Sequence, residues 1–357
     1  MKSFVYESLP ARVIFGSGTS KNRVAEELRK LGCSRAIIIT GPRGKSVGED
    51  VKAAIPRELI VGSYSKAAMH TPEKITLDAI KYAEEVKADC AIAIGGGSAI
   101  GLAKSLALHS QGRIKQIAIP TTYAGSETTQ VVGQTKDGRK TTTKSPLILP
   151  QVIIYDVDLT LSLSSSLTVS SAMNALAHAV EALYSQDINP IIELVAIQGI
   201  QSLKKALPLL TKDPQDVDAR SDALYGAWAC GTCLGAIASM GLHHKLCHTL
   251  GGTFNMPHSE THTVILPHAA AYNAPYATDA MSKVASALGS SSAPQALYDL
   301  ARNNGGPYSL KSLGFKEEDL EKAAEVAAMS PYPNPAPLEK QKLLLLLQNA
   351  WEGKRPE

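Results

Sequence analysis

Residues 90–108 read CAIAIGGGSAIGLAKSLAL. A short apolar run ends in Gly95, Gly96, Gly97 and Ser98 and passes straight into a longer stretch of small apolar residues. That pattern is a buried strand, a tight corner and a helix. Glycines at such a corner let backbone N–H groups approach a pyrophosphate, and the helix N-terminus adds partial positive charge. A strand-to-helix corner also favours glycine on steric grounds alone. The spacing is not G-x-G-x-x-G, and the turn follows the third or fourth strand instead of the first, so the ordinary dinucleotide fingerprint is not met.

Outward from this turn the grammar repeats. RVIF, AIIIT, ELIVG and CAIAI alternate with AEELRKLG, EDVKAAI and EKITLDAIKYAEEV, which predicts strands joined by crossover helices and a mostly parallel sheet covered on both faces. Asp137-Gly138 between two Thr/Val-containing runs predicts a hairpin. After QVIIYD the strands stop, and Ala/Leu/Ser-rich stretches with helical periodicity take over. The expected fold is an α/β nucleotide-binding domain over 1–157 and an all-α domain over 158–357. Two domains also suit 357 residues, a length beyond a single comfortable core.

The chain is 44% hydrophobic and 19% charged, within the globular range, and KQKLLLLLQNAW is too short to span a bilayer and reads as a core helix. No membrane partner is expected. The opening MKSFVYESLPARV lacks the apolar run of a signal peptide, which makes the cytoplasm the expected location. Five irregularly spaced cysteines do not form a disulfide framework. Cys230 and Cys233 form a C-x-x-C, but inside an apolar run that reads as a buried helix. A net charge of +3, without a basic stripe and with 5% aromatic residues, argues against nucleic acid as a partner.

After the first inner strand, Thr40-Gly41-Pro42-Arg43 offers no carboxylate to a ribose 2′-OH. Arg43 suits a 2′-phosphate, so NADPH is admitted beside NADH, although an arginine after a proline turn is also an ordinary surface residue. Residues 240–268 hold six of the nine histidines. Asn174 and His178 are four apart, as are His244 and His248, so each pair shares a helix face; His258 follows a glycine break and Pro257. Three imidazoles from three segments suit a catalytic metal if a carboxylate completes them, and no carboxylate is evident. Three neutral histidines can also hold zinc, so a metal site and a metal-free substrate pocket both stand at this point. His243 points about 100° away from His244 on a helix.

GGGS, IPTTYAGSE, NALAHAVEALY, GLHHKLCHTLGGTFN, PHSETHTVILPHAAAYN and NAWEG, in this order, resemble the iron-containing alcohol dehydrogenase superfamily, of dehydroquinate synthase-like fold, and within it the maleylacetate reductase branch. The resemblance runs nearly end to end. It implies that the metal ligands of the superfamily, an aspartate and three histidines, fall on Asn174, His178, His244 and His258. Asparagine at the first position is similar to the branch understood to work without a metal. It further implies an NADH- or NADPH-dependent oxidoreductase, a family-like homodimer, and an anionic or polyketone-like small-molecule substrate. Gly95 to Ser98 would cradle the pyrophosphate, Thr121, Thr122, Ser126 and Lys140 would line the cofactor cleft with Gly41 and Arg43, and Leu159 with Thr160 would lie near the nicotinamide. His243 or His244 would deliver the proton, with Tyr123 in contact with substrate; Asn174, His178, His248, His258 and Tyr332 complete the expected substrate pocket.

The chain departs from the branch at 330–337, SPYPNPAP, where Pro333 stands for an aromatic residue and Ala336 for an arginine. Loss of a charge-assisted contact there would cost about 1.5–3 kcal/mol. TTTKSPLILP and TTQVVG also differ from the branch pattern. These changes point to a different, larger or less charged substrate. The leading expectation is metal-free reduction of an activated carbon–carbon double bond, maleylacetate to 3-oxoadipate or a related enone acid. The alternatives are non-redox chemistry on the same fold, such as an isomerase or cyclase, and a metal-dependent alcohol dehydrogenase.

Overall fold

The computed structural model describes residues 4, 6, 8, 9, 11–136, 139–237, 239–329 and 332–357, and leaves out the side chains of Lys136, Arg139 and Lys140. Its first elements are β1 (Arg12–Phe15), α1 (Thr19–Asn22), α2 (Val24–Lys30), β2 (Ala36–Ile39), α3 (Lys45–Ala53), β3 (Ile60–Tyr64), α4 (Glu73–Glu85), β4 (Cys90–Gly95), α5 (Gly97–His109), β5 (Lys115–Pro120), β6 (Val131–Lys136), β7 (Arg139–Lys144) and β8 (Val152–Tyr155). Six strands form one sheet in the order β1-β8-β5-β4-β2-β3, and every neighbouring pair is parallel.

Successive residues of a strand face opposite sides, and here both sides are covered. Ile38 joins one core with Ile92, Ile94, Ile117 and Ile154. Ile37 and Ile39 join the other with Ala91, Ala93, Ile100 and Leu106. This is why the strands read as unbroken apolar runs. β6 and β7 pair antiparallel as predicted, although Asp137 and Gly138 lie outside the described residues.

The remaining helices are α6 (Ser165–Leu183), α7 (Pro190–Lys212), α8 (Val217–Ala236), α9 (Leu242–Phe254), α10 (His258–Asn273), α11 (Thr278–Leu288), α12 (Ala293–Asn303), α13 (Leu320–Ala328) and α14 (Lys340–Glu352). Their starts are locally encoded: Ser164 accepts from Leu167 N, Asn189 precedes Pro190 and accepts from Ile191 N and Ile192 N, and Asp216 accepts from Ala219 N. Cys230 and Cys233 are buried in α8, and burial pushes the Cys230 thiol well above its usual range. Leu343, Leu346 and Leu347 of α14 pack with Leu246, Leu250, Val264 and Ile265, so the C-terminal helix backs α9 and α10. Among the described residues no helix is long and apolar enough to cross a membrane.

The chain divides into two compact units, Leu9–Leu163 and Ser164–Glu357, the latter with the described residues among the first eight. Residues 158–163 fall with the α/β unit. There Asp156 accepts from Gly18 N, Ser20 N and Asp158 N, tying the turn after β8 to α1.

Candidate active site

In the α/β unit the glycine turn closes β4 at its carboxyl end, the end at which open parallel sheets bind ligands. Gly95 has φ 146°, a conformation side chains rarely tolerate. A Cβ on Gly96 would sit 3.0 Å from Thr122 Oγ1, and one on Gly97 would sit 3.8 Å from Ser126 Oγ. Thr121 N donates to Gly95 O at 3.1 Å. Gly95, Gly96, Gly97, Thr121, Thr122 and Ser126 are thus brought together, with Ser98 in the first turn of α5. That turn carries no acidic residue and no side-chain cap. Ser126 Oγ is buried without a hydrogen-bond partner.

Gly41 and Arg43 follow β2, the neighbour of β4, with Arg43 exposed on a 3-10 turn. Thr160 is buried and its hydroxyl donates to Val157 O at 2.7 Å, while Leu159 packs against the sheet core. Tyr123 is buried in the segment after β5. Lys140 lies opposite Thr135 in the hairpin, and its side chain is outside the described residues.

Lys104, which the sequence reading passed over, is 1% exposed. Its Nζ lies within hydrogen-bond distance of four acceptors, Ser126 O, Thr129 O, Thr129 Oγ1 and Val131 O, and its N–H groups anchor the segment behind the turn. Burial lowers its pKa to about 7. The available signal was a single lysine inside the apolar run IGLAKSLAL.

In the helical unit Asn174, His178 and Glu181 lie on one face of α6, at i, i+4 and i+7. Glu181 is the carboxylate that the sequence reading did not find. It is 1% exposed and accepts four hydrogen bonds. Oε1 accepts from His243 N at 2.9 Å and Tyr184 Oη at 2.6 Å; Oε2 accepts from Gly241 N at 3.2 Å and His244 Nδ1 at 2.6 Å. Two donors on each oxygen fit an ionised carboxylate, so the proton of a neutral His244 sits on Nδ1 and Nε2 carries the lone pair. Glu181 thereby caps the N-terminus of α9, whose own N-cap glycine supplies no side chain.

Around His244 the rings close into a cluster. His178 stacks on it at 5.1 Å between centroids, and His243, His262 and His248 lie at 5.1, 4.9 and 6.1 Å. His258 is 4.3 Å from His262. His243 Nε2 and His262 Nδ1 share a 2.9 Å hydrogen bond. Burial, then the neighbouring imidazoles, push His178, His243 and His262 well below the usual histidine range, so they are neutral near pH 7. Asn174 Oδ1, His178 Nδ1 and His244 Nε2 are buried without hydrogen-bond partners.

Tyr332 is half-buried, its ring 5.5 Å from Lys245 Nζ. Asn334 Oδ1 accepts from Leu242 N at 3.2 Å and from Asn273 Nδ2 at 3.0 Å, which ties the 332–337 segment to the start of α9. Ala336 is 2% exposed. His262 and Cys247 also belong to the cluster and were missed. Cys247 Sγ lies 3.8 Å from His243 Nε2. Their i, i+4 relations to His258 and His243 were the signal available.

The α/β unit thus carries a glycine turn suited to an anion at the carboxyl end of a parallel sheet, and the helical unit carries a buried imidazole cluster, the two candidate sites of the chain. The chain belongs to the iron-containing alcohol dehydrogenase family: residues 10–157 match its iron-containing alcohol dehydrogenase model and residues 168–351 the C-terminal model of the Fe-containing alcohol dehydrogenase family. It is an oxidoreductase resembling the maleylacetate reductases. It is 50% identical to maleylacetate reductase of Burkholderia cepacia over 356 residues, covering 100% of both chains. The crystal structure of maleylacetate reductase from Agrobacterium tumefaciens superposes with a TM-score of 0.94 at 47% identity, covering 100% of each chain. The crystal structure of 1,3-propanediol oxidoreductase, at 24% identity, shares the fold with a TM-score of 0.90 over 98% of this chain and 100% of that one.

Proposed function

We propose that this protein reduces the carbon–carbon double bond of maleylacetate, or of a closely related enone acid, with NADH or NADPH and without a metal. The observation that carries this reading is the buried histidine cluster beside Asn174, with the carboxylate of Glu181 already occupied by four donors.

The family's metal set maps onto Asn174, His178, His244 and His258. Asn174 Oδ1, His178 Nδ1 and His244 Nε2 are bare, but the set contains no anionic donor, whereas protein iron(II) sites of this kind include a carboxylate. The residues present do not fit a resident iron ion. Asparagine at 174 suits a dianionic substrate instead, since an aspartate there would add a like charge.

Reduced nicotinamide, when bound, supplies a hydride to the alkene carbon remote from the ketone. Conjugation then places the electron pair on the carbon next to the ketone and on its oxygen as an enolate. Neutral imidazole N–H groups stabilise that oxygen as charge develops on it, without a change of protonation state. One proton, drawn from solvent, is then passed to carbon through His243, our assignment for the relay, whose ring ends the step neutral as it began it. His244, its Nδ1–H held by Glu181, presents an acceptor at Nε2 and orients the cluster. The turn Gly95–Ser98 with Thr121, Thr122 and Ser126 would hold the pyrophosphate, and Arg43 admits a 2′-phosphate. A homodimer is inferred from the resemblance alone.

Ala336 favours a second reading of the substrate, within the same reaction. It is buried, and its N–H points to Asn273 Oδ1 at 3.4 Å, so no guanidinium reaches a carboxylate from this position. A less charged enone acid fits this change. The test is loss of reduced-nicotinamide absorbance with maleylacetate and with its monoacid analogue, each with and without a chelator. Chelator-insensitive turnover is expected, and turnover abolished by chelation and restored by iron would overturn the metal-free reading.

A further inference from the structure

α9 carries a second set of donors on a different face from His244. His243 and Cys247 are one turn apart, and His262 meets them from α10. Their ligand atoms lie within 4.8 Å of one another, and all three residues are buried. Of the four positions onto which the family's metal set maps, none belongs to this triad.

The distances can be set against what a metal requires. Tetrahedral zinc, with Zn–N of about 2.0–2.1 Å and Zn–S of about 2.3 Å, separates two nitrogens by roughly 3.3 Å and a nitrogen from a sulfur by roughly 3.6 Å. Here the nitrogens of His243 and His262 are 2.9 Å apart, and Cys247 Sγ is 3.8 Å from His243 Nε2. Movements of a few tenths of an ångström, apart in one pair and together in the other, convert these two hydrogen-bond geometries into metal-ligand ones. The third edge, Cys247 to His262, must close further, within the 4.8 Å limit. One of the two hydrogen-bonded nitrogens carries the shared proton, so that ring moves its proton to its other nitrogen when both lone pairs bind a cation. A thiolate supplies the negative charge that the Asn174 set lacks, and its softness selects against magnesium and calcium.

We propose that His243, Cys247 and His262 form a binding site for a thiophilic divalent cation, zinc or cadmium, and that occupancy inhibits the enzyme. Binding forms a metal–sulfur bond and two metal–nitrogen bonds and releases the thiol proton to solvent. A tetrahedral shell is completed by a fourth ligand such as water or a small anion. Inhibition follows because the cation takes the Nε2 of His243 and ends the His243–His262 hydrogen bond. The inhibitory half rests on the proposed role of His243; the binding half does not.

The test is titration of chelator-treated protein with cadmium, followed by the sulfur-to-metal charge-transfer band and by calorimetry, alongside cadmium inhibition of nicotinamide oxidation. One cation per chain with a charge-transfer band is expected. Cys247→Ser and Cys247→Ala should lose the band, and His262→Gln should weaken binding at least about tenfold, on the scale of an altered metal shell. His178→Ala, outside the triad, should keep the band. Circular dichroism establishes that each variant is folded. No band in the folded wild type, or a band that survives both Cys247 variants, would overturn the site. A band that depends on Cys247 without any inhibition would overturn only the inhibitory half and the role given to His243.

Discussion

A carboxylate placed in a protein interior costs several kcal/mol unless its lone pairs are satisfied. Glu181 meets that cost with two backbone N–H groups, a phenol and an imidazole. Because all four partners donate, the residue decides at once where α9 begins and which nitrogen of His244 keeps its proton. Exchange for glutamine sets an N–H against other donors, while shape is nearly kept. Glu181→Gln is therefore expected to lower kcat roughly 10- to 100-fold, the usual scale for partners that fix the tautomer of an active-site imidazole, and to cost about 1–3 kcal/mol of stability. Steady-state kinetics and thermal melts check both, with Glu181→Asp as the variant that keeps the acceptor. If Glu181→Gln and Glu181→Asp lose activity equally while both stay folded, the tautomer argument is wrong.

At the scale of elements, the corner between β4 and α5 behaves as a unit. A methyl group on Gly96 is a tight fit, because its Cβ would meet Thr122 Oγ1 at 3.0 Å and Cγ2 at 3.2 Å. Gly96→Ala must push Thr122 back from the turn. A loss of about 1.4 kcal/mol in cofactor binding, roughly tenfold in Kd, is expected by nicotinamide fluorescence titration, and unchanged affinity would remove this corner from the cofactor site. This corner was legible in the sequence because strand, glycines and helix are contiguous there. The alternation of β-branched and amphipathic runs was legible for the same reason. Glu181, Cys247 and His262 were not, although Glu181 stands three residues after His178. Periodicity gives the face of each helix, but which faces meet depends on the reversal between α9 and α10, where Asn255 takes a left-handed φ of 54°. Lys104 was hidden differently: a lysine in an apolar helix acquires meaning only when carbonyls from residues 126–131 are found around its ammonium.

At the scale of the whole molecule, the proposed function assigns the cofactor turn to the α/β unit and the histidine cluster to the helical unit. Membership of an iron-containing alcohol dehydrogenase family would by itself suggest hydride transfer to a carbonyl carbon, assisted by a Lewis acid. The proposed function instead puts the hydride on an alkene carbon. The two chemistries put the hydride on different atoms, and isotope labelling separates them. The decisive measurement is to run metal-stripped enzyme, its metal content verified, with maleylacetate and nicotinamide deuterated at the hydride position, in ordinary water, and to locate the deuterium by NMR. The account predicts deuterium on the former alkene carbon remote from the ketone, a solvent proton on its neighbour and an intact ketone. Deuterium on a newly formed carbinol carbon, or turnover only after metal is restored, would contradict it.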